Sequence, residues 1–135
     1  MNKRRLLKLA DLLEDDAKYA KGIKFDYLEW GTVTDIQKPA SCGTTACAMG
    51  LAAVSGAFKR QGLSFQRISC CNEINITLNG KGGAINDAVE LFDLTKREAI
   101  FLFASSTGLP ATTGAKAEIA VAKRIRDFTS GETAV

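Results

Sequence analysis

A chain of 135 residues with 46% hydrophobic side chains is long enough to bury a core and reads as a single globular domain over 1–135. Its 18 Lys and Arg against 15 Asp and Glu leave a formal charge of +3, too mild to require a polyanionic partner, so nucleic acid is permitted but not indicated. Histidine is absent, which excludes Ser-His-Asp and Cys-His chemistry within one chain, because histidine is the usual general base near neutral pH and the commonest metal ligand.

The opening segment MNKRRLLKLADLLEDD begins basic, but Lys8 and Asp11 interrupt its apolar run too early for a signal peptide. No run is long enough to span a bilayer, and four cysteines are too few for a disulfide scaffold. The expectation is a cytoplasmic protein with reduced thiols and no membrane contact. Within residues 3–19, Leu6, Leu9, Ala10, Leu13 and Ala17 recur at helical spacing and predict an amphipathic helix. Glu14, Asp15 and Asp16 crowd its C-terminal part, where they oppose the helix dipole, and read as a solvated end.

Residues 22–38 bring Phe25, Tyr27, Leu28 and Trp30 together without helical punctuation and read as an irregular aromatic segment over the core, Trp30 an anchor. Pro39 and Gly43 then break the chain. Thr44 or Thr45 is the expected N-cap of a helix reaching about Phe58, along which Ala46, Gly50, Ala53 and Ala57 form a small stripe that admits a close neighbour. Alternation in LSFQRIS and EINITLN predicts two short strands, paired as a hairpin around CCN and closed by the turn NGKGG.

Helical spacing resumes over 84–92, and Thr95 with Glu98 three residues later makes a capping box for a helix over 96–104. SSTGLPATTG is a loop. Ala117, Ile119, Ala120, Ala122, Ile125 and Phe128 predict a last helix from Ala115 to Phe128, with Lys123, Arg124 and Arg126 alongside. These elements make a mostly helical α+β domain of about five helices with a small β-hairpin.

The chemistry-bearing stretch is SCGTTACAMGLAA. Cys47 falls in the first turn of its expected helix, where unpaired amides and the dipole favour a thiolate. Against that stands the ordinary fate of a cysteine, burial as a small apolar side chain. Cys42 and Cys47 are not spaced as C-x-x-C, which makes a poor redox pair. Cys42, Cys47, Cys70 and Cys71 give the ligand number of a structural zinc, but adjacent cysteines rarely reach one tetrahedral ion together. No metal and no cofactor is expected.

NGKGGAIND lacks the full phosphate-loop spacing and reads better as a strand-to-helix turn. LTKREAIFLFASSTG followed by AEIAVAKRIRDF resembles a response-regulator helix-turn-helix, with Lys123, Arg124 and Arg126 placed to meet phosphates. The turn in such motifs is about three or four residues, whereas Ser105 to Gly114 is a longer loop with Pro110 in it.

The order LLKLADLLE, FDYLEWG, CGTTACAMGLAA, AVELFDLTKREAIFLFAS, AEIAVAKRIRDF resembles a set of small bacterial and bacteriophage hypothetical proteins. These carry a C-G-T-x-x-C-x-x-G motif after an F-D-[MY]-type segment. Cys42, Gly43, Thr44, Cys47 and Gly50 match that motif, while Leu51 stands where the family commonly has Trp or His, and the Cys70-Cys71 pair is not a family feature. The resemblance implies a phage or mobile-element origin and attaches no activity. The leading expectation is a non-enzymatic protein acting on a protein partner through Phe25, Tyr27 and Trp30. A thiol-dependent enzyme or redox protein using Cys47 is the alternative, and nucleic-acid binding through the last helix is the third reading.

Overall fold

The computed structural model describes residues 1–19, 23–27, 31–32, 44–67 and 74–131. Its first helix, α1, spans Lys3–Tyr19. Asn2 starts it by accepting the Arg5 backbone N–H on Oδ1 at 3.1 Å, which satisfies one of the amides that a helix start leaves without a partner. The predicted apolar face is the buried one, with Leu6, Leu9, Ala10 and Leu13 fully inside. It lies along the last helix, α5 (Gly114–Ser130), which buries Ala117, Val121, Ala122, Ile125 and Phe128. These two helices make the most extensive contact in the fold.

A short helix, α2 (Ala48–Ser55), is buried from Ala48 to Val54. Its small residues let neighbours pack on every side, as the alanine and glycine content of the segment implies. Gly56, with φ of 75°, ends it in the left-handed conformation that glycine adopts without steric penalty. A single 3-10 turn, Lys59–Gln61, follows and leads into the β-strands.

Strands β4 (Leu63–Arg67) and β5 (Ile74–Leu78) pair antiparallel from Leu63 opposite Leu78 to Arg67 opposite Ile74. This is the expected hairpin; the CCN stretch that would join it lies outside the described residues. Residues 79–80 then turn the chain with φ of 53° at Asn79 and 81° at Gly80. Two successive left-handed residues match the right-handed twist of paired strands, so Asn-Gly sets a tight second hairpin. It adds a short strand, Lys81–Gly82, on the far edge of β5.

Helix α3 (Ala84–Phe92) stops at Asp93, and α4 (Lys96–Phe103) starts with the predicted capping box. The Glu98 N–H donates to Thr95 Oγ1 at 3.1 Å, and the Thr95 N–H donates to Glu98 Oε1 at 2.8 Å. Phe92 joins the helices: its ring meets Phe58 edge-on and stacks on Phe103, each with centroids 5.7 Å apart. Such geometry adds to area burial by complementary ring charge.

The segments before α2 depart from the expectation. Three short strands, β1 (Ile23–Phe25), β2 (Gly31–Thr32) and β3 (Thr44–Ala46), form a second sheet with β3 in the middle. Ile23 pairs in parallel with Thr44, and Gly31 pairs antiparallel with Ala46. Where an irregular aromatic segment and a helix cap were expected, residues 23–25, 31–32 and 44–46 are extended, because pairing with distant residues holds strands too short to carry alternation. The fold is α+β and mostly helical, with five α-helices among the described residues. No helix there is long and apolar enough to cross a membrane.

Candidate functional site

The Cys-Gly-Thr motif lies at the junction of the central short strand and α2. Of its five residues, Cys42 and Gly43 lie outside the described residues; Thr44 is in the strand, Cys47 at the junction, and Gly50 buried in the helix. The expected cap is corrected by one turn: neither Thr44 nor Thr45 caps α2. Cys47 does so with extended backbone, its Sγ accepting the Gly50 N–H at 3.4 Å.

Cys47 is 2% exposed. Burial pushes its thiol up to about 11. The backbone amides of Gly50 and Met49 and its own amide pull the other way, and the charge of Asp26 reinforces the rise. The helix-start effect expected from the sequence is therefore present but overcome. Loss of hydration outweighs a weak hydrogen bond to sulfur, and a thiol in this state supplies little thiolate near neutral pH. Cys70 and Cys71, the other candidate thiols, lie outside the described residues.

The aromatic contact surface needs correction as well. Phe25 is 3% and Tyr27 is 4% exposed, so both are core residues; Trp30 lies outside the described residues. Tyr27 holds the far end of α4 in place, donating its hydroxyl to the Leu102 carbonyl at 3.1 Å and accepting the Ser105 N–H at 2.9 Å. Desolvation raises its pKa, partly offset by that amide and by Arg124. An aromatic ring with one polar tip is suited to a buried position where backbone groups need partners.

The three cations assigned to nucleic acid on the last helix have partners within the fold. Arg124 caps the α4 end and the loop after it, donating Nη1 to the carbonyls of Phe101 at 3.1 Å and Ser105 at 2.5 Å and Nη2 to Thr107 at 2.7 Å. It also lies over the Phe101 ring, 5.0 Å from the centroid. Arg126 bridges to α1 through Glu14 and Asp11. Lys123 pairs with Asp127 one turn on, at 2.7 Å.

The acidic end of α1 is likewise not all solvated. Glu14 holds Arg126, and Asp16 is only 5% exposed, next to Glu118 at 2% on α5. Burial first, then the hydrogen bond and the charge of Asp16, push Glu118 up to about 9. Its Oε2 has no hydrogen-bond partner among the described residues. No sequence signal announced this pair, because the two carboxyls are a hundred residues apart in order of magnitude and meet only where α1 and α5 pack. A carboxyl held neutral is a general-acid property, but cavities at α1, at α5 and at the turn before α3 are lined by other residues.

At the strand-to-helix turn, Gly83 precedes α3 with φ of 104°. The carboxyl of Asp87, 2% exposed in the first turns, is pushed up to about 6 by burial and Glu90 against a hydrogen bond from the Leu78 backbone. A carboxyl at this helix start favours the turn reading over the phosphate one. Among the described residues, no cluster of three or more metal-ligating side chains forms. No protein-family model, curated protein or solved structure matches the chain.

Proposed function

We propose that this is a non-enzymatic cytoplasmic protein, of phage or mobile-element origin, that acts by binding a protein partner. The observation carrying the reading is the state of Cys47: the residue is 2% exposed, its sulfur caps a helix and its thiol is pushed up to about 11. The residue with the most chemical promise is thereby given a structural task that explains its place in the motif. The extended cap lets the chain leave a strand and enter α2 within one residue, and small Gly50 and Ala53 let that helix be enclosed.

The aromatic residues behind the expected contact surface are core where described. Among the described residues, Ile100 on α4 at 42% and Ile119 on α5 at 52% are the large apolar side chains left exposed beyond the N-terminal Met1. Alkylation of the native protein under reducing conditions, followed by mass spectrometry against pH, tests the reading. Cys47 is expected to stay unmodified until the protein unfolds. Rapid modification at Cys47 with an apparent pKa below the ordinary thiol value of about 8.5 overturns it in favour of a thiol-dependent enzyme or redox protein.

A further inference from the structure

We propose that the cavity between the first two turns of α1 and the 58–61 turn binds a phosphoryl group. The cavity measures about 180 Å³ and is lined by Asn2, Arg4, Arg5, Lys8, Phe58 and Gln61. At about 30 Å³ per water molecule, that volume admits a phosphoryl group and its link to a larger molecule. Three of the six lining side chains are cationic and none is a carboxylate. Lys59 and Arg60, between Phe58 and Gln61 in the chain, are exposed and add to the same positive field.

Two of the lining cations are positioned by the fold. Arg5 donates Nη1 to the Leu91 carbonyl at 2.8 Å. Lys8 donates Nζ to the Ala57 carbonyl at 2.7 Å and lies 5.1 Å from the centroid of the Phe58 ring. An arginine has five N–H donors and a lysine three, so a carbonyl partner fixes each side chain and leaves most of its donors available. Arg4 has no side-chain hydrogen bond or ion pair among the described residues.

The amides complete the set. Asn2 uses Oδ1 to cap α1, which leaves its NH2 to donate. Gln61 lines the opposite wall with its Oε1 buried, so its carboxamide presents NH2 rather than oxygen to an anion there. A carboxylate needs only one guanidinium fork. Three cations and two amides without a counter-charge suit an anion with three oxygens and up to two charges.

The test titrates the native protein with inorganic pyrophosphate and, separately, with a single-stranded oligonucleotide at several salt concentrations, following the backbone amides of Asn2, Arg5, Lys8 and Gln61 by NMR. Arg4→Glu removes the exposed cation, and Lys116→Glu on α5 makes the same charge change away from the cavity. Saturable pyrophosphate shifts at those amides, weakened about tenfold or more by Arg4→Glu and less than about twofold by Lys116→Glu, support a small phosphorylated ligand. Oligonucleotide binding whose salt slope falls by about one unit in Arg4→Glu alone supports the same site holding a nucleic-acid phosphate. No binding of either at low salt, or equal loss in both variants, overturns the proposal. Lys8→Gln, read against its own melting curve, repeats the test at a second lining cation.

Discussion

Two basic regions of this chain look alike in sequence and differ in the fold. Lys123, Arg124 and Arg126 are partnered by Asp127, by three backbone carbonyls, and by Glu14 and Asp11. Arg4, Arg5 and Lys8 line one cavity with no carboxylate among its walls, and among the described residues their side chains meet two backbone carbonyls and the Phe58 ring but no counter-charge. The first cluster is part of the packing between α1, α4 and α5, whereas the second keeps donors for a ligand. The difference teaches that a basic run on a helix is a binding signal only where the opposing surface has not already answered it. That depends on residues remote in sequence.

The largest expected effect probes the neutral end of the same α1–α5 seam. Glu118 ordinarily titrates near 4.5 and is pushed up to about 9, so the folded state binds a proton that the unfolded state releases between those values. Its contribution to stability is fully present below the unfolded value and is lost as pH rises through the folded one. The loss is about 1.4 kcal/mol per pH unit while that difference in bound protons lasts. Urea unfolding of Glu118→Gln at several pH values is expected to lack this slope. A mutant profile parallel to that of the parent would show that the seam does not bind the proton.

Next in size is Arg124→Ala, which leaves the carbonyls of Phe101, Ser105 and Thr107 without their cationic donor. Since partly buried hydrogen bonds to a charged group are at stake, thermal unfolding should show a loss of about 2 kcal/mol. Arg126→Ala should matter less, at most about 1 kcal/mol and diminishing with added salt, because its partners Asp11 and Glu14 are well exposed. Arg4→Ala is the smallest, within about 0.5 kcal/mol. A stability loss there matching that of Arg124→Ala would erase the distinction between the two basic regions.

Gly62 gives a check on the turn geometry that frames the cavity. Its φ is 93°, and a Cβ built on it would lie 1.9 Å from Asn79 Oδ1. Gly62→Ala must therefore displace the Asn79 side chain and strain the backbone together, for a loss of roughly 1–3 kcal/mol in denaturant unfolding.

Local signals were readable where the chain itself contained them. Thr95 and Glu98 sit within one helical turn, so their reciprocal bonds follow from spacing. Leu6 to Leu13 show the apolar period of α1, and alternation around Leu63 and Ile76 shows the hairpin. The candidate site was less legible. Cys47 read as a helix-start thiol, but whether dipole or burial prevails depends on how much protein covers the sulfur. Phe25 and Tyr27 read as a contact surface because what buries them is remote in sequence: Phe25 pairs in its strand with Ala46 of the motif, and the Tyr27 hydroxyl reaches Leu102.

What the sequence by itself determined was the set of helices, the capping box of α4 and the main hairpin, together with the absence of any histidine-based chemistry, because each rests on residue type and on spacings within a turn or a strand. The tertiary structure alone decided that Cys47 is a sealed cap, that Asp16 and Glu118 meet out of water, and that the basic run of α5 is answered by α1 and α4 while the start of α1 is not. Desolvation and charge pairing depend on distance in space, and residues far apart in the chain acquire that distance only when helices pack.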